Sequence, residues 1–423
     1  MLDTVPTGRD TDCRTVIDAV CDFHFHADDP MKGNTMSRVL LRNVVLGCVS
    51  LLTMMSRADT LEVGPDKKFK KPSQAIAAAK DGDTIAIDAG TYLNDWTTIR
   101  KNNLVLRGVG GLAVLKSQGM ISNGKAIWVV AGDNIHIENV EFRGARVRDR
   151  NGAGIRQEGR KLTLRHCRFI DNENGILGGR PETVFDIQHC EFAHNSLVAE
   201  PGTHNLYVMG NKLIFKFNYS HHAKICHLLK SRTATNIIAY NRFSDEQDGS
   251  SSYVINLPNA GRAYIVGNIL HQGPNCQNRT MVAYGEEGPR GDDHEFQFIN
   301  NTAINDCQRG SPTFVSVRRV PANTKVVLRN NIFAGKGTVT NWPQAVSEAN
   351  FKGAADAVGF VDRSKWDIRL KANSPCRGRG VDPGKADDGT DLTPSMQYVH
   401  PMKGERRPTG RKLDVGAYQH VPK

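Results

Sequence analysis

The chain has 423 residues, 39% hydrophobic and 23% charged, with 40 glycines and nine cysteines. Its formal net charge of +11 and pI near 9.2 favour an acidic partner, either nucleic acid or an anionic polysaccharide. No Lys/Arg run is interleaved with aromatics, which removes the usual footprint of a nucleic-acid binder, and no apolar stretch comfortably spans a bilayer.

Residues 36–58 read as a secretory signal. Arg38 and Arg42 supply the positive region, Val44 to Met55 the apolar stretch, and Ser56 and Ala58 the small residues before a cleavage site. Translation is then expected to begin at Met36, with residues 1–35 a non-native upstream extension, and the mature protein is expected to be secreted or periplasmic. Residues 59–115 read as a cap. Pro72-Ser73-Gln74-Ala75-Ile76-Ala77-Ala78-Ala79-Lys80 predicts a short helix with Ser as its N-cap, placed to close the end of a stack. Asp81 to Tyr92 predicts a turn, a strand and a second turn.

From 134 to 335 the chain repeats one pattern: alternating apolar residues, then Asn or Cys, an apolar pair and a polar turn. Copies include Ile135-His136-Ile137-Glu138-Asn139-Val140-Glu141-Phe142 and Leu162-Thr163-Leu164-Arg165-His166-Cys167-Arg168-Phe169. The anchors at 139, 167, 190, 218, 241, 268, 301 and 331 lie 23 to 33 residues apart. A period of that length marks a solenoid, because no single coil can bury its apolar face alone. Period-two alternation makes the repeated element a strand, and strands of successive coils then run parallel. Hairpin signals such as Asn-Gly are nearly absent between them. The anchor Asn residues are expected to stack as a ladder inside a turn, with Cys167 and Cys190 filling the same slot. The fold class is therefore all-β, a parallel β-helix with an N-terminal capping helix, spanning 59–376. Residues 377–423 are expected as an irregular wrap with a closing strand. Six cysteines follow Ala58; Cys276 and Cys307, in loops of adjacent coils, are the expected disulfide, and the spacings fit no metal motif.

One stretch gathers the unusual polar residues. His204 to His227, Tyr207 to Lys230 and Lys230 to Tyr253 are each separated by 23 residues, as are Asn218 and Asn241. His204 is expected to stack on His227 and Tyr207 on Lys230, about 4.8 Å apart. Tyr253 on Lys230 is less direct, because the next anchor interval is 27. Alternation puts the His pair on the opposite face from Tyr207 and Lys230 unless the strand ends between them. Such a patch suits acid–base chemistry on a uronate sugar. A base takes the proton next to the carboxylate, a cation neutralises the carboxylate, and an acid protonates the leaving oxygen. Lys230 is the candidate base, since its cationic neighbour Arg232 makes a neutral amine more accessible. Arg232 or Arg262 would neutralise the carboxylate. Tyr207, Tyr253, His204 or His227 would deliver the proton. Asn205, Tyr207, His221, Arg262 and Tyr284 are candidate substrate contacts. Asp245, Glu246 and Asp248 are an acidic loop to test for calcium; no other cofactor is expected. Glu286 and Glu287 bring two carboxylates on the next coil.

Gly82-Asp83-Thr84-Ile85, Gly90-Thr91-Tyr92 and Leu104-Val105-Leu106-Arg107-Gly108 resemble the opening coils of pectin-lyase-like right-handed β-helix proteins. Ile368-Arg369-Leu370, Asn373-Ser374-Pro375 and Leu413 to Tyr418 resemble their closing segments. This resemblance covers most of the mature chain and speaks for fold more than activity. Leu229-Lys230-Ser231, followed by Tyr240-Asn241-Arg242-Phe243 and a Ser-rich strand, resembles coils of the chondroitinase B and alginate lyase family. There a Lys-Ser pair lies one coil before an Arg that acts as the acid, which implies Lys230 as base. This chain carries Tyr253-Val254-Ile255-Asn256 where that Arg would stand, leaving Tyr253 or Arg232 to be the acid. The expected function is a monomeric polysaccharide lyase that cleaves an acidic, uronate-containing polysaccharide by β-elimination. The alternatives are a glycoside hydrolase, which needs paired carboxylates and here lacks Asp-Asp and Gly-His-Gly signatures, a uronate epimerase, or a non-catalytic polysaccharide-binding protein.

Overall fold

Each coil contributes three short strands, and equivalent strands of successive coils pair in parallel. The computed structural model describes residues 58–196, 203–409 and 412–421. The expected leader, 1–35 and 36–58, lies outside these residues except for Ala58. The first sheet stacks Ala126–Val130, Ala153–Gln157, Asn174–Gly178, the leading halves of Leu206–Lys216 and Leu229–Ala239, then Ile255–Leu257, Thr280–Tyr284 and Thr313–Val317. The second includes Lys161–Arg165, Val184–Gln188, the trailing halves of the two long strands, Arg262–Val266 and Glu295–Ile299. The third runs from Val140–Arg143 through Arg168–Ile170, Glu191–Ala193, Tyr219–His221 and Arg242–Ser244 to Phe351–Gly353. This is the expected right-handed parallel β-helix.

Alternation decides which side chains enter the lumen. Lys161–Arg165 and Val184–Gln188 bury every second residue, sending Leu162, Leu164, Phe185 and Ile187 inward. Phe142, Phe169, Phe192, Phe215 and Phe243 stack coil on coil with centroids 4.9 to 5.8 Å apart. Each buried aromatic contributes area burial plus a ring-pairing term of about 1 kcal/mol.

The Asn ladder forms at the turn between the second and third sheets. Asn218, Asn241, Asn268, Asn301 and Asn331 each pass a side-chain amide hydrogen to the next residue's Oδ1, ending at Asn350, at 2.9 to 3.2 Å. Cys190 and Cys167 continue the column, with the Cys190 N–H donating to Asn218 Oδ1. Asn139 does not belong to it: the register puts Val140 opposite the slot and Asn139 one residue earlier, at φ 54°. The residue before each slot turns the corner with positive φ, as at His166, His189, Phe217 and Tyr240. Their rings stack outside the helix. The C-terminal wrap packs over this corner: His189 Nδ1 donates to Met402 O, and the Tyr240 hydroxyl accepts from Ser395 N–H.

The capping helix is Pro72–Ala78. Its N-cap position is Lys71, not the expected Ser73, because Pro72 occupies the first helical position, which suits its missing N–H. Ser73 instead binds Asp95 of the following coil through both its N–H and its hydroxyl, a carboxylate placed at the helix N-terminus. At the far end, Phe360–Asp362 with Asp367–Leu370 and Met396–Val399 with Lys403–Arg406 form two antiparallel pairs. The expected closing strand at 413–418 joins no ladder; Val415 and Ala417 pack against Ile269, Ile304 and Ile332 instead. Cys276 and Cys307 are disulfide-bonded as expected. No helix among the described residues is long and apolar enough to cross a membrane.

Candidate functional site

The first sheet presents its outer face where the long strands begin. Leu206, Val208, Leu229 and Ser231 are buried, so alternation sends Tyr207, Met209, Lys230 and Arg232 outward. Tyr207 pairs in register with Lys230, as the 23-residue spacing predicted. Lys230 pairs next with Asn256, not Tyr253. The Lys230 ammonium lies 5.0 Å from the Tyr207 ring centroid and 3.1 Å from Glu287 Oε1. Arg232 is held on three sides: Nε donates to the Tyr207 hydroxyl at 2.8 Å, Nη1 to Asn259 Oδ1 at 2.6 Å and Nη2 to Glu287 Oε2 at 2.5 Å. Glu287 arrives on a loop laid over the sheet, whose Glu287 and Arg290 N–H groups donate to Pro258 and Asn259 carbonyls. Burial pushes the Glu287 carboxyl up, but hydrogen bonds from Arg232 and Lys230 outweigh it and hold the carboxyl below its usual range. The nearest charged partner of Lys230 is therefore an anion, Glu287, and not the cation Arg232 that the sequence suggested.

His204 and His227 stack as expected, with centroids 4.7 Å apart, and the His227 N–H donates to His204 Nδ1. The strand begins at Leu206, after His204, so the two sets meet instead of facing apart: His204 packs edge-on to Tyr207 at 5.2 Å. Tyr253 sits over His227 at 5.0 Å. Burial, with Lys230 and Arg232 nearby, pushes His204 down to about 3, and burial holds His227 well below its usual value. Both imidazoles are thus neutral and weakly basic, a rigid wall behind Tyr207 and not proton carriers at neutral pH. Their linkage sign is fixed by that depression. The unfolded chain binds protons on these residues from about pH 6.5 downward and the native chain does not. Stability is expected to be full above pH 6.5 and to fall as pH drops toward 3; Tm measured from pH 7 to 4 checks this, and a His204→Asn variant should show a shallower decline.

Other candidates are placed elsewhere. Asn205 is fully enclosed in a second internal ladder, accepting from Asn195 Nδ2 and donating to the Phe192 carbonyl, so it touches no substrate. Tyr284 points into the core, its hydroxyl donating to Gly261 O. Arg262 pairs with Asp293 on the second sheet and does not join Lys230. His221 lies on the third sheet against Glu191. Asp245, Glu246 and Asp248 do not form one nest. Asp245 is buried and accepts the Ser251 and Gly273 N–H groups, Glu246 binds Tyr219 and Arg242, and Asp248 pairs with His222. Adjacency in sequence scattered them because the chain turns a corner there. A chain of hydrogen bonds links Ser244, His271 and Asp306 at 3.0 and 3.1 Å, but Ser244 is completely buried and its oxygen also accepts from Glu246 N–H.

Sequence reasoning missed two groups of the cluster, Asn259 and Asn256, while Glu286 was already singled out beside Glu287. Asn259 holds Arg232, and the Asn256 side-chain amide lies 3.3 Å from His227 Nε2. Glu286, on the same loop as Glu287, accepts from Ser316 and lies 3.6 Å from Arg318. Nothing in the local pattern of Asn256 and Asn259 marks them, because sheet register brings them in.

No family model and no curated protein matches the chain. Among solved structures, a pectate lyase, Pel9A, aligns with a TM-score of 0.51 at 16% identity, covering 87% of this chain and 98% of that one. An alginate lyase from Paenibacillus sp. str. FPU-7 aligns with a TM-score of 0.45 at 14% identity, covering 69% and 97%. The first likeness shows the parallel β-helix fold.

Proposed function

We propose that the chain is a polysaccharide lyase that cleaves an acidic, uronate-containing polymer by β-elimination on the outer face of the first sheet. The observation that carries this reading is the cluster of Lys230, Arg232 and Tyr207 around one displaceable carboxylate, Glu287, whose side chain is 46% exposed. A uronate carboxylate has the charge and bidentate geometry of the Glu287 carboxylate and would take its place on Arg232. With the uronate carboxylate seated on Arg232, Lys230 stands on the same outer face of the strand, and its neutral amine is the base. Lys230 then takes the proton next to the sugar carboxylate. Tyr207 gives its proton to the departing glycosidic oxygen, and the bond from Arg232 Nε stabilises the phenolate left behind. Proton transfer from Lys230 to Tyr207 restores both groups. Tyr253 lines the site: burial pushes its phenol up, so it stays protonated. The net charge of +11 steers anionic polymers toward the protein.

Export to the periplasm or medium belongs to this reading, and the Cys276–Cys307 disulfide suits an oxidising compartment. The test is incubation of the mature protein with a panel of uronate polymers. Ultraviolet-absorbing unsaturated ends support the lyase; chain shortening without them would favour hydrolysis.

Glu287 separates the two readings. In the lyase it competes with the substrate carboxylate, so Glu287→Gln should lower KM several-fold and leave kcat near wild type. In a hydrolase it would be half of a carboxylate pair, and kcat would fall by about a hundredfold or more. Steady-state kinetics of this variant and of Glu286→Gln decide the point.

A further inference from the structure

Where the chain leaves the third sheet, three imidazoles meet on two successive coils. His194 and His222 occupy equivalent turn positions, with φ of 54° and 50°, and their rings stack at 4.5 Å. His221 ends the strand before this turn. One ring nitrogen from each of the three falls within 4.8 Å of the others. None of these residues takes part in the Lys230 cluster.

The hydrogen-bond partners fix which nitrogens are offered. His221 Nε2 faces Glu191 Oε1 at 3.2 Å and His222 Nε2 faces Asp248 Oδ1 at 3.0 Å. A carboxylate can only accept, so each Nε2 carries the proton and each Nδ1 keeps its lone pair. Those two Nδ1 atoms point at one another in close contact. Two lone pairs aimed at one point call for a cation between them. The carboxylate–imidazole pairing is also the outer-shell arrangement that orients metal-binding histidines.

We propose that His194, His221 and His222 bind a divalent transition-metal ion of the zinc, cobalt or nickel class, with Glu191 and Asp248 as orienting partners. Three imidazoles and no carboxylate in the inner set suit these ions and not calcium or magnesium. Imidazoles around one zinc ion stand roughly 3.3 Å apart, a spacing that small ring rotations of the exposed His194 and half-buried His222 provide. Three protein ligands leave a fourth, solvent-facing position open to water or another donor.

The test is titration of tag-free, chelator-treated mature protein with cobalt(II), followed by its visible absorption, and by competition with zinc. One tight equivalent is expected, with the intense bands of a four-coordinate ion. His194→Gln, at an exposed position where folding is unaffected, should weaken zinc binding by at least about tenfold, and Asp248→Asn should do so by a factor of about ten. The double variant His221→Gln/His222→Gln should lose the cobalt spectrum. Absence of binding by the wild type, or wild-type affinity in His194→Gln or the double variant, would overturn the assignment. Because the readout is metal affinity, it stands apart from any outcome for lyase activity.

Discussion

Lys230→Ala is expected to lower turnover on an acidic polymer by a factor of about a hundred or more, the scale of a lost general base. Lys230→Arg should be equally inactive, since it keeps the charge but cannot supply a neutral amine at working pH. Tyr207→Phe should follow with a comparable loss, as it removes the proton donor and the oxygen that Arg232 bonds. The fold should survive all three. Lys230 has a side chain that is 12% exposed, more covered than a free surface lysine, but it lies on the outer face and its removal leaves Glu287 still paired with Arg232. Far-ultraviolet circular dichroism and Tm control for folding. Retained activity in a well-folded Lys230→Ala protein sinks the assignment of the base.

Asn268→Ala is expected to be the most damaging single change to stability outside the aromatic core. Its Oδ1 accepts both the N–H and the side-chain amide of Asn241, while its Nδ2 donates to Ile238 O and Asn301 Oδ1, all within 2.8 to 3.0 Å and fully buried. Alanine leaves a buried N–H and a buried carbonyl without partners, each costing about 1–3 kcal/mol, so a loss of about 3–5 kcal/mol follows. Asn350→Ala, at the half-exposed end of the same ladder, should cost about 1 kcal/mol because water can replace the lost bonds. Urea midpoints of the two variants measure the contrast. Equal losses would mean that the ladder contributes no more in its interior than at its end.

Much of this was legible because a solenoid writes its tertiary contacts as a period. The 23-residue spacing placed Tyr207 on Lys230 and His204 on His227, since a coil of constant length puts equivalent residues in register. The ladder anchors from 167 onward and the Cys276–Cys307 pair were legible for the same reason, and the capping helix from its run of helix formers. The same logic failed where a coil changed length. The next coil is longer, so Lys230 meets Asn256 at 26 residues and Tyr253 slides onto His227.

Alternation predicts two faces, but which one is lumen depends on where the strand starts and on whether the corner is covered. Thus Asn205 and Tyr284, polar enough to suggest a surface, are interior. Glu287 and Asn259 enter the cluster by a loop fold and by sheet register, which local pattern does not encode. The composition and repeat period of this chain determined a parallel β-helix and the coils that carry its polar patch. The three-dimensional packing decided that the His pair is buried and neutral, that a carboxylate stands between Lys230 and Arg232, and that three other histidines meet at a different corner. Register repeats with the coil and can be counted along the chain. Burial and charge pairing depend on loops and neighbouring coils whose lengths vary, and these only the folded molecule brings together.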